Sequence, residues 1–441
     1  MDRLLRTAAA AGVSALAAAP LGAETTLPDK LAGHGGPIKS VTVSLDGSHV
    51  LTASFDYALI YWDVSRADPE LVHRLRGHGG AANDAAFVPG HNAAVSVGDD
   101  GTLILWDLGT GDPLGAVASD PVKMLDVDVA PGGRLAAAAA WDGTVRLYDL
   151  DALAETARLP HRANVNAVAF SADGRTLYSA ANNGQITEWD IASRRAVRPI
   201  HSHGWGVNSI AMLPGNRLAF GGLDGSFGVI DLDSDSIQDI ASSERPILTV
   251  RASADGALVG FGDGAGEVAV FTTASGALLE RGAVTYGPVW DFDFIPGTQS
   301  IYHVGLDDFA ALWRISPRDF EPIKAELPRR FQIRDSEDPG ELEFLRKCSV
   351  CHTLTPDDGN RAGPTLYQLF GRKAGSLPDY PYSPALRELG VVWTEETVAR
   401  LFDDGPDVMV PGTTMPIQRL KQVTRRDELI RFLKTATATV D

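Results

Sequence analysis

Short apolar runs broken by polar turn residues recur over the first three quarters of the chain. Val41-Thr42-Val43-Ser44 leads to Asp46-Gly47, then His49 to Ser54, then Ala58 to Val64. The same pattern returns as Val165 to Phe170, Ala172-Asp173-Gly174, Thr176 to Ala180 and Gln185 to Ile191. Runs this short, with turn chemistry between them, predict antiparallel strands joined by hairpins. The ends of seven such runs align: Trp62-Asp63, Trp106-Asp107, Tyr148-Asp149, Trp189-Asp190, Ile230-Asp231, Phe271-Thr272 and Trp313-Arg314. Their spacing is roughly 41–44 residues, the period of a four-stranded propeller blade. Six residues ahead of each alignment point sits a turn residue: Asp56, Asp100, Asp142, Asn183, Asp224, Ala265 and Asp307. In four units a glycine follows (Gly101, Gly143, Gly184, Gly225), as a tight hairpin with positive φ requires. The expectation is an N-terminal all-β, seven-bladed propeller over residues 24–316.

A circular sheet assembly must close or leave an exposed strand edge. Glu70 to Leu75 ends the first unit, and its counterpart ahead of that unit is Thr26 to Leu31. That early segment is predicted to supply the outer strand of the seventh blade and so to clasp the ring. After Trp313 the pattern stops. Pro317, Pro322, Pro328 and Pro339, set among charges, mark a linker over residues 317–335. A second domain, residues 336–441, reads as all-α, with helices predicted at Pro339 to Cys351, Glu395 to Asp403 and Arg425 to Ala436.

Gly33-His34 and Gly77-His78 precede the first two units, with Pro160-His161 and His203-Gly204 in similar places later. With the Trp-Asp endings, these residues resemble the WD-repeat family over residues 27–316. The resemblance implies a protein-binding platform in which such histidines bond within their own blade. His201, His203 and Trp205 form the densest local group, with no carboxylate or cysteine at metal-ligand spacing.

A formal charge of −18 over 441 residues argues against nucleic acid and anionic lipid as partners. At the N-terminus, Arg3 and Arg6 precede an apolar run from Thr7 to Pro20, followed by Leu21-Gly22-Ala23. This reads as a signal peptide over residues 1–23, cleaved before Glu24 for export to a bacterial periplasm. The run is too short for a stable membrane span, and no cysteine follows it.

The chain has only two cysteines, in Cys348-Ser349-Val350-Cys351-His352, a C-x-x-C-H haem-attachment motif. Two cysteines about one helical turn apart can each form a thioether with a porphyrin vinyl group, and the histidine then ligates iron. A structural zinc would need four ligands, and a redox dithiol would need an α/β setting. For a sixth ligand, Met409 and Met415 remain once the N-terminal and propeller methionines are set aside.

From about Gly340 to Thr437 the chain resembles a class I cytochrome c of the cytochrome c2 type. The matching stretches are Gly363-Pro364-Thr365-Leu366, Leu369 to Gly375, Tyr380 to Ser383, Trp393 to Glu396, Pro411-Gly412-Thr413-Thr414-Met415 and Asp427 to Lys434. The resemblance implies Met415 as distal ligand and His352 as proximal ligand, the two metal ligands of one covalent haem c. It implies that Pro364 offers its carbonyl to the His352 ring, and that Arg372, Tyr382 and Trp393 bond the propionates, with Thr413 also binding the cofactor. Gly340, Phe344, Leu429 and Phe432 match the crossing of the first and last helices. The haem-edge lysines of the family are largely missing: the stretch before Met415 reads Asp403-Asp404-Gly405-Pro406-Asp407.

The function expected is that of a periplasmic c-type cytochrome carrying single electrons, docked by its propeller to a periplasmic redox protein or complex. The alternative is a redox enzyme with an active site in the propeller and the cytochrome as relay. A scaffold with redox-silent haem is the third.

Overall fold

The computed structural model describes residues 27–118, 120, 122–315, 338–349, 352–355, 363–378, 380, 382, 384–410, 415 and 419–438. The expected signal peptide and linker, Cys351 and Thr413 lie outside the described residues. Among those described, twenty-eight strands form seven sheets of four. Six blades are built from consecutive strands. The seventh takes Val289–Phe294, Ser300–Gly305 and Phe309–Arg314 from the end of the domain and Lys30–Ala32 from its beginning. Lys30 pairs with Ala311 and Ala32 with Phe309, antiparallel.

The clasp is therefore present, but starts later in the chain than the sequence pattern suggests. The residues before it hold on by other means. Tyr302 donates its hydroxyl to the Pro28 carbonyl at 2.8 Å, Leu312 N–H donates to Asp29 O at 3.0 Å, and Arg314 meets the Asp29 carboxylate at 3.1 Å. Leu31, the central residue of the strand, is fully buried.

Every innermost strand carries a register shift after its first residue, as between Ile38 and Ser40 or Ala82 and Asp84. A bulge re-aims the next side chain, and these residues link neighbouring blades. Ser40 Oγ donates to Asp84 Oδ1 at 2.6 Å, and Asp84 Oδ2 accepts the Val127 N–H at 2.9 Å. Asp126 accepts from Val168 N–H at 2.7 Å, Ser209 Oγ from Val250 N–H at 2.9 Å, and Asp291 from Val41 N–H at 3.1 Å. Two residues further along their strands, Asp128 accepts from Phe170 N–H and Asp293 from Val43 N–H. Arg251 bridges to Asp291 at 2.8 Å. Asp84 and Asp291 are buried, Asp126, Asp128 and Asp293 half-buried, and each has a partner, as burial demands.

The family histidines act within blades. His34 bonds Asp56 at 3.0 Å and Thr52 Oγ1 at 2.8 Å, and Thr52 Oγ1 accepts from Trp62 Nε1 at 3.0 Å. His78, Asp100, Ser96 and Trp106 repeat the arrangement. His161 keeps only the Ser179 and Trp189 part.

The remaining described elements are helical: α1 (Pro339–Lys347), α2 (Pro384–Glu388), α3 (Glu395–Asp404), α4 (Pro406–Met409) and α5 (Val423–Ala436). Asp338 caps α1 by accepting from Gly340 and Glu341 N–H, and Thr394 with Thr397 forms a capping box on α3. α1 ends before the predicted Cys351 because the Ser349 N–H reaches five residues back to Phe344 O, while Ser349 Oγ donates to Leu345 O, the carbonyl its N–H would use in a continuing helix. α1 packs on α5 at Gly340, where a Cβ would come within 2.1 Å of Glu428 O. The Phe344 and Phe432 rings lie 5.7 Å apart, and Leu429 and Leu433 fill the core beside them.

Candidate functional site

The site is built at the end of α1. The Cys348 carbonyl accepts the His352 N–H at 2.8 Å, an i to i+4 relation that sets the thiol and the imidazole on one side of a helical turn. Cys348 is 5% exposed. The Thr353 carbonyl accepts from Leu366 N–H at 2.8 Å and brings the Gly363-Pro364 loop alongside. His352 Nδ1 then donates to Pro364 O at 2.8 Å. That bond fixes the proton on Nδ1 and leaves the lone pair of the neutral ring on Nε2.

Gly363 lies so close to this ring that a Cβ would meet His352 Cε1 at 2.4 Å and Nδ1 at 2.7 Å. The glycine is required by close approach, since the imidazole occupies the space a side chain would take.

His352 and Cys348 line a cavity of about 1060 Å³, partly open to solvent. Met415 lines it as well, whereas Met409, at the end of α4, is not among the lining residues. Leu366, Leu369, Val398, Leu401, Phe402 and Leu433 make most of its wall apolar, and Leu386 joins them. Arg372, Tyr382 and Trp393 also border it. Among the described residues no group of three or more His, Cys, Asp and Glu side chains converges. Among the described residues the donors at this cavity are one imidazole and one thioether beside a cysteine, a set that suits iron in a porphyrin.

Arg372 sends two of its N–H groups to backbone carbonyls, Nη1 to Tyr367 O at 2.8 Å and Nη2 to Thr365 O at 2.7 Å. Burial holds its guanidinium below the usual value, with Tyr382 beside it. Tyr382 is 9% exposed, packs edge-on to Tyr380 at 4.7 Å, and has its hydroxyl pushed up by burial. Trp393 is placed by its backbone: its carbonyl accepts from Gly371 N–H and its N–H donates to Arg372 O. The acidic stretch noted in the sequence is tied to cations of its own chain, Asp403 to Arg426 at 2.9 Å and to Lys421 at 3.5 Å.

The structure also shows functional neighbours that sequence reasoning did not single out. Tyr57, from the first blade, lines the same cavity, as does Tyr380. Tyr57 carried a usable signal: it occupies a turn position filled by glycine in five other blades.

Comparison with known proteins agrees with both parts of the chain. The WD domain, G-beta repeat model matches residues 25–63, 69–107, 117–149 and 155–190. A cytochrome c of Gibberella zeae is 38% identical over 94 residues, covering 21% of this chain and 88% of that protein. A cytochrome c of Sesamum indicum is 43% identical over 101 residues, 22% of this chain and 88% of the relative. One from Arabidopsis thaliana is 39% identical over 94 residues, covering 83% of its length. Through a segment of about a fifth of its length the chain belongs to the cytochrome c family, and it carries WD repeats besides.

Proposed function

We propose that the protein is an exported c-type cytochrome that transfers single electrons and uses its propeller to dock a periplasmic redox partner. The observation that carries this reading is the His352–Pro364 hydrogen bond, seated against Gly363 in a cavity that Cys348 and Met415 also line. In this reading Cys348 and Cys351 supply the two thioether sulfurs. His352, oriented by Pro364, and Met415 would hold the haem iron. A covalent haem c in that cavity provides a one-electron iron couple.

The chain's own residues do the rest. The apolar wall excludes water and so favours the less charged state of the centre. Arg372, Tyr382 and Trp393 would take the propionate end, Arg372 with the N–H groups not spent on Tyr367 and Thr365, and Thr413 would also bind the cofactor. With His352 and Met415 both lining the cavity, a haem held there would supply one-electron relay chemistry. The propeller acids that could suggest a second active site, Asp84, Asp126, Asp128, Asp291 and Asp293, already accept backbone N–H groups of adjacent blades. This favours docking over catalysis in the propeller.

The test is expression with haem c maturation, followed by denaturing electrophoresis and a visible spectrum. Haem that stays with the polypeptide, and a low-spin spectrum with sulfur ligation, are expected. Protein that releases its haem on denaturation refutes covalent attachment. Fractionation and N-terminal sequencing beginning at Glu24 test export, and capture of partners from periplasm tests docking.

A further inference from the structure

The turns between the second and third strands of the blades differ at one position in a way the blade architecture does not explain. In blades two to six this position is glycine: Gly101, Gly143, Gly184, Gly225 and Gly266, with φ between +71° and +98°. Crowding reinforces the choice in several blades. A Cβ would lie 2.4 Å from Asp120 O at Gly101, 2.3 Å from Trp205 O at Gly184 and 2.0 Å from Ser243 O at Gly225. Blade one has Tyr57 there, with φ +68°, in the left-handed region that a residue with a bulky side chain adopts at a cost.

The turn is held rigidly in this conformation. Tyr57 N–H donates to Ser54 O at 3.2 Å, Ala58 N–H donates to Asp56 Oδ1, and Asp56 is itself fixed by His34. Phe55, two residues earlier, packs on Trp290 at 5.5 Å, which anchors the turn to blade seven. Backbone strain at a rigid position persists only where something else is gained. What Tyr57 reaches is the cavity of the C-terminal segment, which it lines together with His352, Tyr380, Tyr382 and Met415.

We propose that the first-blade turn is an intramolecular docking point, with Tyr57 closing over the mouth of the C-terminal cavity and limiting access of solvent and small molecules to it. The occupant of this propeller face is the chain's own cytochrome-like segment. The cost to the turn is set against an aromatic ring placed where glycine could place nothing. The proposal rests on the haem reading only for what lies in the cavity; the docking itself stands on the turn and the lining.

The experiment uses the full-length protein with its haem attached, as wild type, Tyr57→Phe and Tyr57→Gly. Three quantities are read: radius of gyration by small-angle scattering over a dilution series, rate of haem reduction by ascorbate, and unfolding midpoint of the propeller. Tyr57→Phe keeps the ring and should stay close to wild type in radius and reduction rate. Tyr57→Gly should raise the propeller midpoint by about 2 °C, because glycine relaxes the turn. It should also enlarge the radius of gyration and speed ascorbate reduction several-fold. Unchanged radius and reduction rate in Tyr57→Gly overturn the proposal. A change in radius that vanishes on dilution also overturns it, since that identifies a second copy as the occupant. Scattering is indifferent to the cofactor, so a protein that retains no haem but still opens on Tyr57→Gly keeps the docking and loses the electron-transfer reading.

Discussion

Replacing Gly363 by alanine should damage the site through a single methyl group. The new Cβ would lie 2.4 Å from His352 Cε1, 2.7 Å from Nδ1 and 2.8 Å from Nε2. Ordinary contact begins at 3.4 Å, so the ring must retreat by about 1 Å, from 2.4 to 3.4 Å. A shift of that size stretches the 2.8 Å bond from Nδ1 to Pro364 O beyond hydrogen-bond range. The lost bond costs about 1 kcal/mol and the overpacking about 1–3 kcal/mol, roughly 2–4 kcal/mol together. A ligand deprived of its orienting partner typically loses 10–100-fold in metal affinity, which is about 1.4–2.7 kcal/mol. Urea unfolding of the C-terminal segment, followed by the visible spectrum, reads both effects in one titration. Gly371→Ala is the control: its φ is +90° and no atom lies within 4 Å of an added Cβ, so only backbone strain of about 1 kcal/mol is expected. If Gly363→Ala matches that control in midpoint and spectrum, the ring does not press on Gly363 and the argument for a seated ligand fails.

Three further outcomes are expected. Met415→Ala should abolish the sulfur-ligated spectrum while Met409→Ala leaves it intact; the opposite result would reassign the distal ligand, since only Met415 lines the cavity. Burial pushes Asp128 up to about 6 and Asp293 up to about 7 from 3.8, against the opposing hydrogen bonds from Phe170 and Val43 and the charge of Arg251. Folded protein thus holds more protons than unfolded protein between about pH 4 and 7 at these groups, and their contribution to stability falls as pH rises through that window. His161 and His303, lowered by burial to about 4 and about 3, act in the opposite sense below about pH 6.5, so the comparison must be with a variant. Asp293→Asn, which keeps an acceptor for Val43, should gain stability relative to wild type as pH goes from 5 to about 7.5; a constant difference in denaturation midpoint across that range would count against the raised value. Leu31→Ala should lower propeller stability by about 2–4 kcal/mol in a urea melt, because the side chain is fully buried in the clasp; a loss below about 1 kcal/mol would show that the clasp hardly matters.

Repetition made the propeller legible. A single Trp-Asp pair says little, but seven alignment points at one period fix blade number, strand order and the need for a clasp. Where a unit departs from the common spelling, the alignment pointed to the wrong atom. In blade six the turn position reads Ala265, while the carboxylate serving the turn is Asp263, accepting from Ala265 and Glu267 N–H and from Ser243 Oγ. The blade-to-blade acids went unread because Asp126 and Asp128, or Asp291 and Asp293, look like the polar face of an alternating strand. Only the ring geometry turns that face toward another blade's backbone. In the C-terminal segment the coarse helical reading meets α1, α3 and α5, with ends off by a few residues. α2 and α4 are single turns begun by Pro384 and Pro406, too short to have a period. The C-x-x-C-H motif stands out in the sequence because its spacing is chemical, whereas Arg372's bonds to two carbonyls depend on how the loop folds back.

The clasp has a consequence for how the molecule is made. Lys30–Ala32 leaves the ribosome before the rest of the propeller, and its partner Phe309–Arg314 follows almost 280 residues later. Tyr302 and Pro28, joined by a hydrogen bond, are 274 positions apart. Such separations make closure a late and slow event, because the seventh blade has no edge to receive this strand until Phe309–Arg314 has been made. Throughout synthesis of the propeller that strand waits unpaired, and the ring remains an open arc with two raw ends. Circularity is thus a property the chain acquires all at once, after its last blade is translated, and a nascent chain held short of Arg314 should have an incomplete seventh blade.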